Sequence, residues 1–202
     1  ALATSWEYID DNGTLQLKLR EGVKFHNGET MTAQDVLFSL KVASESGQSM
    51  PVANIDFDKS AVVDDLTVNL AQKTVRYDLV EYISIPMAVI FSKKGYEEGN
   101  GDWSKMDIGT GPYVWGEWAS GDHQDLHAFE DYWEEGYPLI KNITVKVITE
   151  ATNRSIEIET GSCDMAYDVN VVDIPNLKAN DKLFVYEELT FDNSIFGFNN
   201  AD

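Results

Sequence analysis

From Thr14 to Arg20 the chain reads Thr-Leu-Gln-Leu-Lys-Leu-Arg, apolar and polar in strict alternation, which puts three leucines on one face of a strand. Asp11-Asn-Gly13 ahead of it is a turn signal. The period then changes. Apolar residues at 33, 36, 37, 40 and 43 recur at helical spacing and predict an amphipathic helix over 33–43. Thr32 stands at its N-cap with Asp35 three positions on, the two halves of a capping box. Residues 44–51 form a polar loop, 61–63 and 66–70 a hairpin split by Asp64-Asp65, and 78–84 a short helix before Pro86. Gly, Lys, Glu and Asp mark 93–111 as a surface loop or a passage between domains, and the domain change is placed near Ile85.

A second hairpin is predicted from 113–118 and 124–130 around Ala119-Ser-Gly-Asp122, followed by a β-branched strand over 143–148. Residues 149–159 read as a helix that Gly161 terminates as a C-cap glycine. The remainder alternates: a strand over 163–167, a short helix over 171–179 with Pro175 near its start, and strands over 184–188 and 194–198. Strand and helix in that order predict α/β units, a mixed sheet, beside antiparallel hairpins.

A chain of 202 residues holds one large domain or two modest ones, and folding buries about 70% of the unfolded surface at this size. With 43% hydrophobic and 25% charged residues, a disordered chain is excluded. Lys plus Arg number 15 against 35 for Asp plus Glu, a formal net charge of −20. That balance repels phosphate backbones and anionic bilayers, so nucleic-acid binding drops out. Cys163 is the single cysteine, leaving the fold to hold without an internal disulfide. The longest apolar stretch, 83–91, is interrupted by Ser84 and Pro86 and falls far short of the roughly 20 residues of a membrane span. The first residues have neither a basic nor an apolar leader region, so a signal peptide was removed or not included.

Most chemistries fail on inspection. His123 and His127 stand four apart, but the turn before them favours a strand, on which they sit too far apart for one ion, and no third His or Cys is near. They read as surface histidines. Asp56-x-Asp58-x-Ser60 starts like a calcium loop, yet Ala61 and Thr67 occupy positions that need Gly and Glu. Neither a serine elbow nor a cysteine-protease signature occurs, and Cys163 in its apolar strand pattern reads as a buried small hydrophobe. Gly109-Thr-Gly111 is followed by Pro112 and no Lys, which suits a tight turn better than a phosphate loop. No spacing among the carboxylates singles out an acid/base pair, and the sequons at Asn12, Asn142 and Asn153 bear only on a eukaryotic secretory chain.

Five strings in register carry a resemblance. The stretch from Leu19 to Leu40 (Leu-Arg-Glu-Gly-Val-Lys-Phe-His-Asn-Gly-Glu-Thr-Met-Thr-Ala-Gln-Asp-Val-Leu-Phe-Ser-Leu) is similar to the signature of family 5 extracellular solute-binding proteins. Gly109-Thr-Gly-Pro-Tyr113, Asp131-Tyr-Trp133, Thr160-Gly-Ser-Cys-Asp-Met165 and Phe198-Asn199 follow in that family's order. The resemblance runs along essentially the whole chain, while the chain amounts to less than half of a typical member.

The resemblance implies a periplasmic binding protein-like type II fold, one lobe of a two-lobed Venus flytrap in the α/β class, with an α+β inserted domain. Residues 1–84 would be that small inserted domain and 85–202 the central part of the large first lobe, the opening segment and second lobe being absent. It further implies a non-enzymatic component of an ABC importer, with no catalytic residue, metal or cofactor. Its partners would be a small peptide, or a nickel chelate, heme, oligosaccharide or opine, and the permease subunits; it would act as a monomer, periplasmic or lipid-anchored. The alternative is the same domain serving as a sensor or regulator. By correspondence with the family's cleft-facing loop and bordering strand, Tyr167, Asp168, Asn170, Asn193 and Phe196 are the candidate ligand contacts. Asp168 would pair with a cationic group such as a peptide amine, while Tyr167 and Phe196 stack.

Overall fold

A computed structural model describes residues 1–46, 52–102 and 107–188. The chain divides into two compact units, 1–145 and 146–202. The domain change expected near Ile85 falls within the first unit, where Ile85, Ala88, Ile90 and Trp133 all pack on the same core as the leucines of 15–19.

That core begins with the alternation. β2 (Leu15–Leu19) turns Leu15, Leu17 and Leu19 inward, all but inaccessible. Gln16 and Lys18 on its other face bond across to Asn69 and Thr67 of β4 (Thr67–Leu70) at 2.9 and 3.0 Å. The strands pair antiparallel, Leu15 against Leu70 and Leu17 against Val68. β3 (Ala61–Asp64) flanks β4, and β1 (Ala3–Tyr8) flanks β2, giving the order β1-β2-β4-β3. The sequence pattern missed β1, whose residues are half-buried or exposed throughout. It is an edge strand held by its backbone ladder, so no buried alternation marks it.

α1 (Ala33–Glu45) lays Ala33, Val36 and Leu40 on this sheet. Its predicted capping box forms: the Asp35 carboxylate accepts from the Thr32 amide at 2.9 Å and from the Thr32 hydroxyl at 2.8 Å. Buried Ser39, on the same face, donates to the Phe91 carbonyl and accepts from the Phe91 amide, tying the helix to the loop that follows the short helix α2 (Leu79–Tyr82) and a 3-10 turn over Pro86–Ala88.

Within 93–111, expected as loop, residues Lys93–Glu98 form a helix, α3. Ser92 caps it, its hydroxyl accepting from the Gly95 amide, while Asn27 donates to Ser92 and Ser92 to Glu29. Polar composition hid the helix, which docks through Gly95 and through Tyr96, whose ring meets Phe38 and Phe91 at 5.5 and 5.4 Å. A Cβ at Gly95 would lie 2.5 Å from Ile108 and 2.9 Å from Asn27.

β5 (Tyr113–Ala119), β6 (His123–Ala128) and β7 (Asn142–Lys146) form a second sheet in that order. The signature residues of 20–26 reach the motif that follows β6. Arg20 stacks on Trp133 at 4.7 Å, Lys24 pairs with Asp131 at 2.7 Å, and the His26 ring meets Phe129 edge-on at 4.9 Å.

In the second unit, α4 (Ala151–Thr160) ends on Gly161, whose left-handed φ of 74° lets Ser162 close the helix on the Glu157 carbonyl, as the C-cap reading predicts. A single-turn 3-10 segment (Val171–Asp173) leads into α5 (Ile174–Ala179). The strands expected over 163–167 and 184–188 do not form. Met165, Tyr167, Phe184 and Tyr186 are all exposed. Neither segment finds a neighbouring strand among the described residues, and a strand without a partner has no ladder to stabilise it. The strand expected over 194–198 lies outside the described residues.

Candidate functional site

The loop from Asp164 to Asn170 joins α4 to the 3-10 turn, and one arginine shapes it. Arg154, in the second turn of α4, donates from Nε and Nη2 to the Asp168 carbonyl at 3.0 and 2.6 Å. Its Nη1 reaches back to the carbonyls of Ile148 and Thr149 at 2.6 and 3.0 Å. One planar guanidinium thus fastens the chain entering α4 to the loop leaving it, which a point-charge ammonium could not do. Its side chain is only 19% exposed.

The clamp has a conformational consequence. Asp168 stands at a φ of 56°, a left-handed conformation that Asp tolerates better than most non-glycine residues and that the bonds from Arg154 to its carbonyl hold in place. With its carbonyl turned to Arg154, its carboxylate stands in solvent, 79% exposed, one oxygen 3.3 Å from Nη2. Tyr167 beside it is 84% exposed among the described residues, presenting an aromatic face. Among the described residues, Tyr167 and Asp168 form an adjacent aromatic and anionic pair on an anchored backbone. That arrangement can stack on a planar or apolar group while receiving a cation.

Asn170 is used differently. Its Oδ1 accepts from the Val172 amide and its Nδ2 donates to Thr152 of α4, at 3.2 and 3.1 Å, so its carboxamide caps the 3-10 turn and ties it to the helix. Asn193 and Phe196 lie outside the described residues. Two features escaped the sequence reading. Arg154 has no motif to announce it, and Asp173 carries a buried Oδ2 that meets no partner among the described residues. Cys163 is partly exposed and lies in no strand, in place of the buried strand position expected.

Elsewhere, His26 is fully engaged. Its Nδ1 meets Asp107 and its Nε2 the Gly111 carbonyl, with 6% of the side chain exposed. Both partners are acceptors, so the ring satisfies both only as imidazolium. Burial pushes its pKa down, but the bonds to Asp107 and Gly111 and the Asp107 charge together hold it above the ordinary histidine value. The role is structural, linking the signature segment to the Gly109–Gly111 turn. The first unit also has an open groove of about 880 Å³, walled by Leu2, Trp6, Leu19, Val80, Ile83 and Ile90. Among the described residues, Glu81 is the charged side chain on a wall that is otherwise mostly apolar, which suits apolar chain better than a polar solute.

The family described as bacterial extracellular solute-binding proteins, family 5, middle, matches residues 1–202. The glutathione-binding protein GsiB of Pectobacterium atrosepticum is 32% identical over 184 residues, 90% of this chain and 36% of its own length. The chain therefore spans about a third of that relative. NikA from Brucella suis, solved in complex with Fe(III)-EDTA, superposes with a TM-score of 0.78 at 28% identity, covering 89% of this chain and 37% of that one. DppA from Helicobacter pylori, solved with the peptide STSA, gives 0.78 at 22% identity, covering 90% and 40%. These neighbours fix the fold class as that of type II periplasmic binding proteins, mixed α/β.

Proposed function

Because the chain belongs to the bacterial extracellular solute-binding proteins of family 5, we propose that the protein containing it captures peptides, or a related small solute, outside the cytoplasmic membrane and delivers them to the permease of an ABC importer. The match over all of residues 1–202 carries this reading. The relative GsiB, named for binding glutathione, supports a small solute of that kind as cargo. The role is one of binding, without catalysis, by a monomer free in the periplasm or held to the membrane by a lipid. By the same family reading, residues 1–84 supply an inserted domain and 85–202 the middle of the first lobe, with Ile85, Ala88, Ile90 and Trp133 packing onto the core of the inserted domain.

In this reading Tyr167 and Asp168 meet the solute: the carboxylate takes an ammonium and the ring stacks. Asn170 holds the loop that presents them, and Asn193 and Phe196 are further candidate contacts by correspondence with the family. The test is native mass spectrometry of the full-length protein purified gently from its own cells. Adducts spread over short-peptide masses are expected. A single discrete mass matching a metal chelate, heme or sugar would overturn the peptide assignment. Tyr167→Ala and Asp168→Asn should each weaken peptide binding about tenfold, the loss of roughly one charge-assisted hydrogen bond or stacking contact. Affinity unchanged in both removes the pair from the site.

A further inference from the structure

The register of the β5–β6 hairpin breaks between Trp115 and Trp118. Trp115 opposes Leu126 and Trp118 opposes Gln124, so Gly116 and Glu117 together face the single residue Asp125. A bulge of this kind re-aims a side chain, here turning Glu117 onto the face that Asp125 shares with His123 two residues before it. Gly116 makes the bulge sterically feasible, since a Cβ there would lie 2.6 Å from the His127 ring and 3.0 Å from Asp125.

As a result, one ligand atom from each of Glu117, His123 and Asp125 lies within 4.8 Å of the other two. Donor atoms sharing an ion at bond lengths of about 2.0–2.2 Å stand about 3–4 Å apart, so small side-chain rotations complete the set. The supporting contacts point the same way. His123 Nδ1 bonds to the Asp122 carboxylate at 2.7 Å, which leaves Nε2 to ligate, the orientation that a carboxylate behind a metal-bound histidine provides. Thr144 of β7 donates to Asp125 Oδ1 at 2.6 Å and steadies that carboxylate, leaving Oδ2. His127 is turned to Asn142 of β7, outside the set.

We propose that Glu117, His123 and Asp125 form a site for a divalent transition-metal ion of the Zn²⁺ class, which would bridge β5 to β6 across the bulge. One imidazole with two carboxylates suits such a borderline ion, and three protein ligands leave a coordination position open. Two carboxylates neutralise the dication, and a chain of net charge −20 favours cation entry.

The experiment is titration of Zn²⁺ alone into the full-length protein by calorimetry, with folding of each variant checked by circular dichroism. Saturable binding of one ion is expected, weakened at least tenfold by Glu117→Gln and by His123→Gln and unaffected by His127→Gln. Asp122→Asn, which removes only the group behind the ring, should weaken it about 10- to 100-fold. The His123 ring resonances should shift on addition of the ion. No saturable binding up to millimolar Zn²⁺, or binding unchanged in both ligand variants, overturns the proposal.

Discussion

Asp107→Asn is nearly isosteric and separates the charge on the His26 partner from its shape. In the wild type, the carboxylate faces the buried ring through Oδ1 and accepts from the Trp115 amide at 2.8 Å through Oδ2. A hydrogen bond to a charged group contributes about 1.5–3 kcal/mol and a neutral one about 0.5–1.5, so losing charge assistance at His26 costs about 1–1.5 kcal/mol. The Trp115 bond adds about 1 kcal/mol that does not depend on histidine ionisation. The folded-state pKa of His26 is raised, so its contribution is complete below the unfolded value near 6.5 and is lost as pH rises through the folded value. The variant should therefore be about 2 kcal/mol less stable at pH 5.5 and about 1 kcal/mol less stable at pH 9. With a urea slope near 2 kcal/mol per molar, midpoints followed by tryptophan fluorescence should fall by about 1 M and about 0.5 M. Equal shifts at both pH values, or a larger one at pH 9, would refute a charged His26.

Gly95→Ala should destabilise the first unit by about 1–3 kcal/mol, because the added methyl meets Ile108 and Asn27 below contact distance and α3 must move; a thermal melt measures it, and an unchanged midpoint would show that α3 docks loosely. Arg154→Lys keeps the charge but cannot bridge the carbonyls of 148, 149 and 168 together. Amide exchange at Val172 and Asp173, whose N–H groups donate to Asn170 at the end of the loop, should rise about tenfold, equivalent to about 1.4 kcal/mol of local opening, and exchange unchanged from wild type would mean the loop holds its shape without the clamp.

What could be read from residues alone followed how local the cause was. β2 and α1 were legible because a buried face imposes its period on the chain, and the Thr32–Asp35 box and Gly161 because capping is settled within four residues. α3 was not, since what docks it, Gly95 against Ile108 and Tyr96 against Phe38 and Phe91, lies elsewhere in the chain, and β1 was not, since an edge ladder needs no particular side chain. Over 184–188 the β-forming Phe-Val-Tyr run was real, but composition cannot say whether a partner strand stands beside it. The loop around Tyr167 and Asp168 came from family resemblance. Its arginine clamp and the grouping of Glu117 with His123 depend on a left-handed residue and a bulge, backbone events that leave no periodic trace.

The comb of Arg20, Lys24 and His26 against Trp133, Asp131 and Phe129 bears on how the chain is made. Lys24 waits for a partner 107 residues downstream, and His26 for partners 81 and 85 residues away. At about 5–20 residues per second, a ribosome exposes the signature segment roughly 5–20 s before its counterpart emerges. Contacts of such long sequence separation slow folding, because loop closure must precede any gain. During that interval the ring that will become the buried His26 is bathed in water, and the first unit cannot complete its fold until nearly all of it has been synthesised.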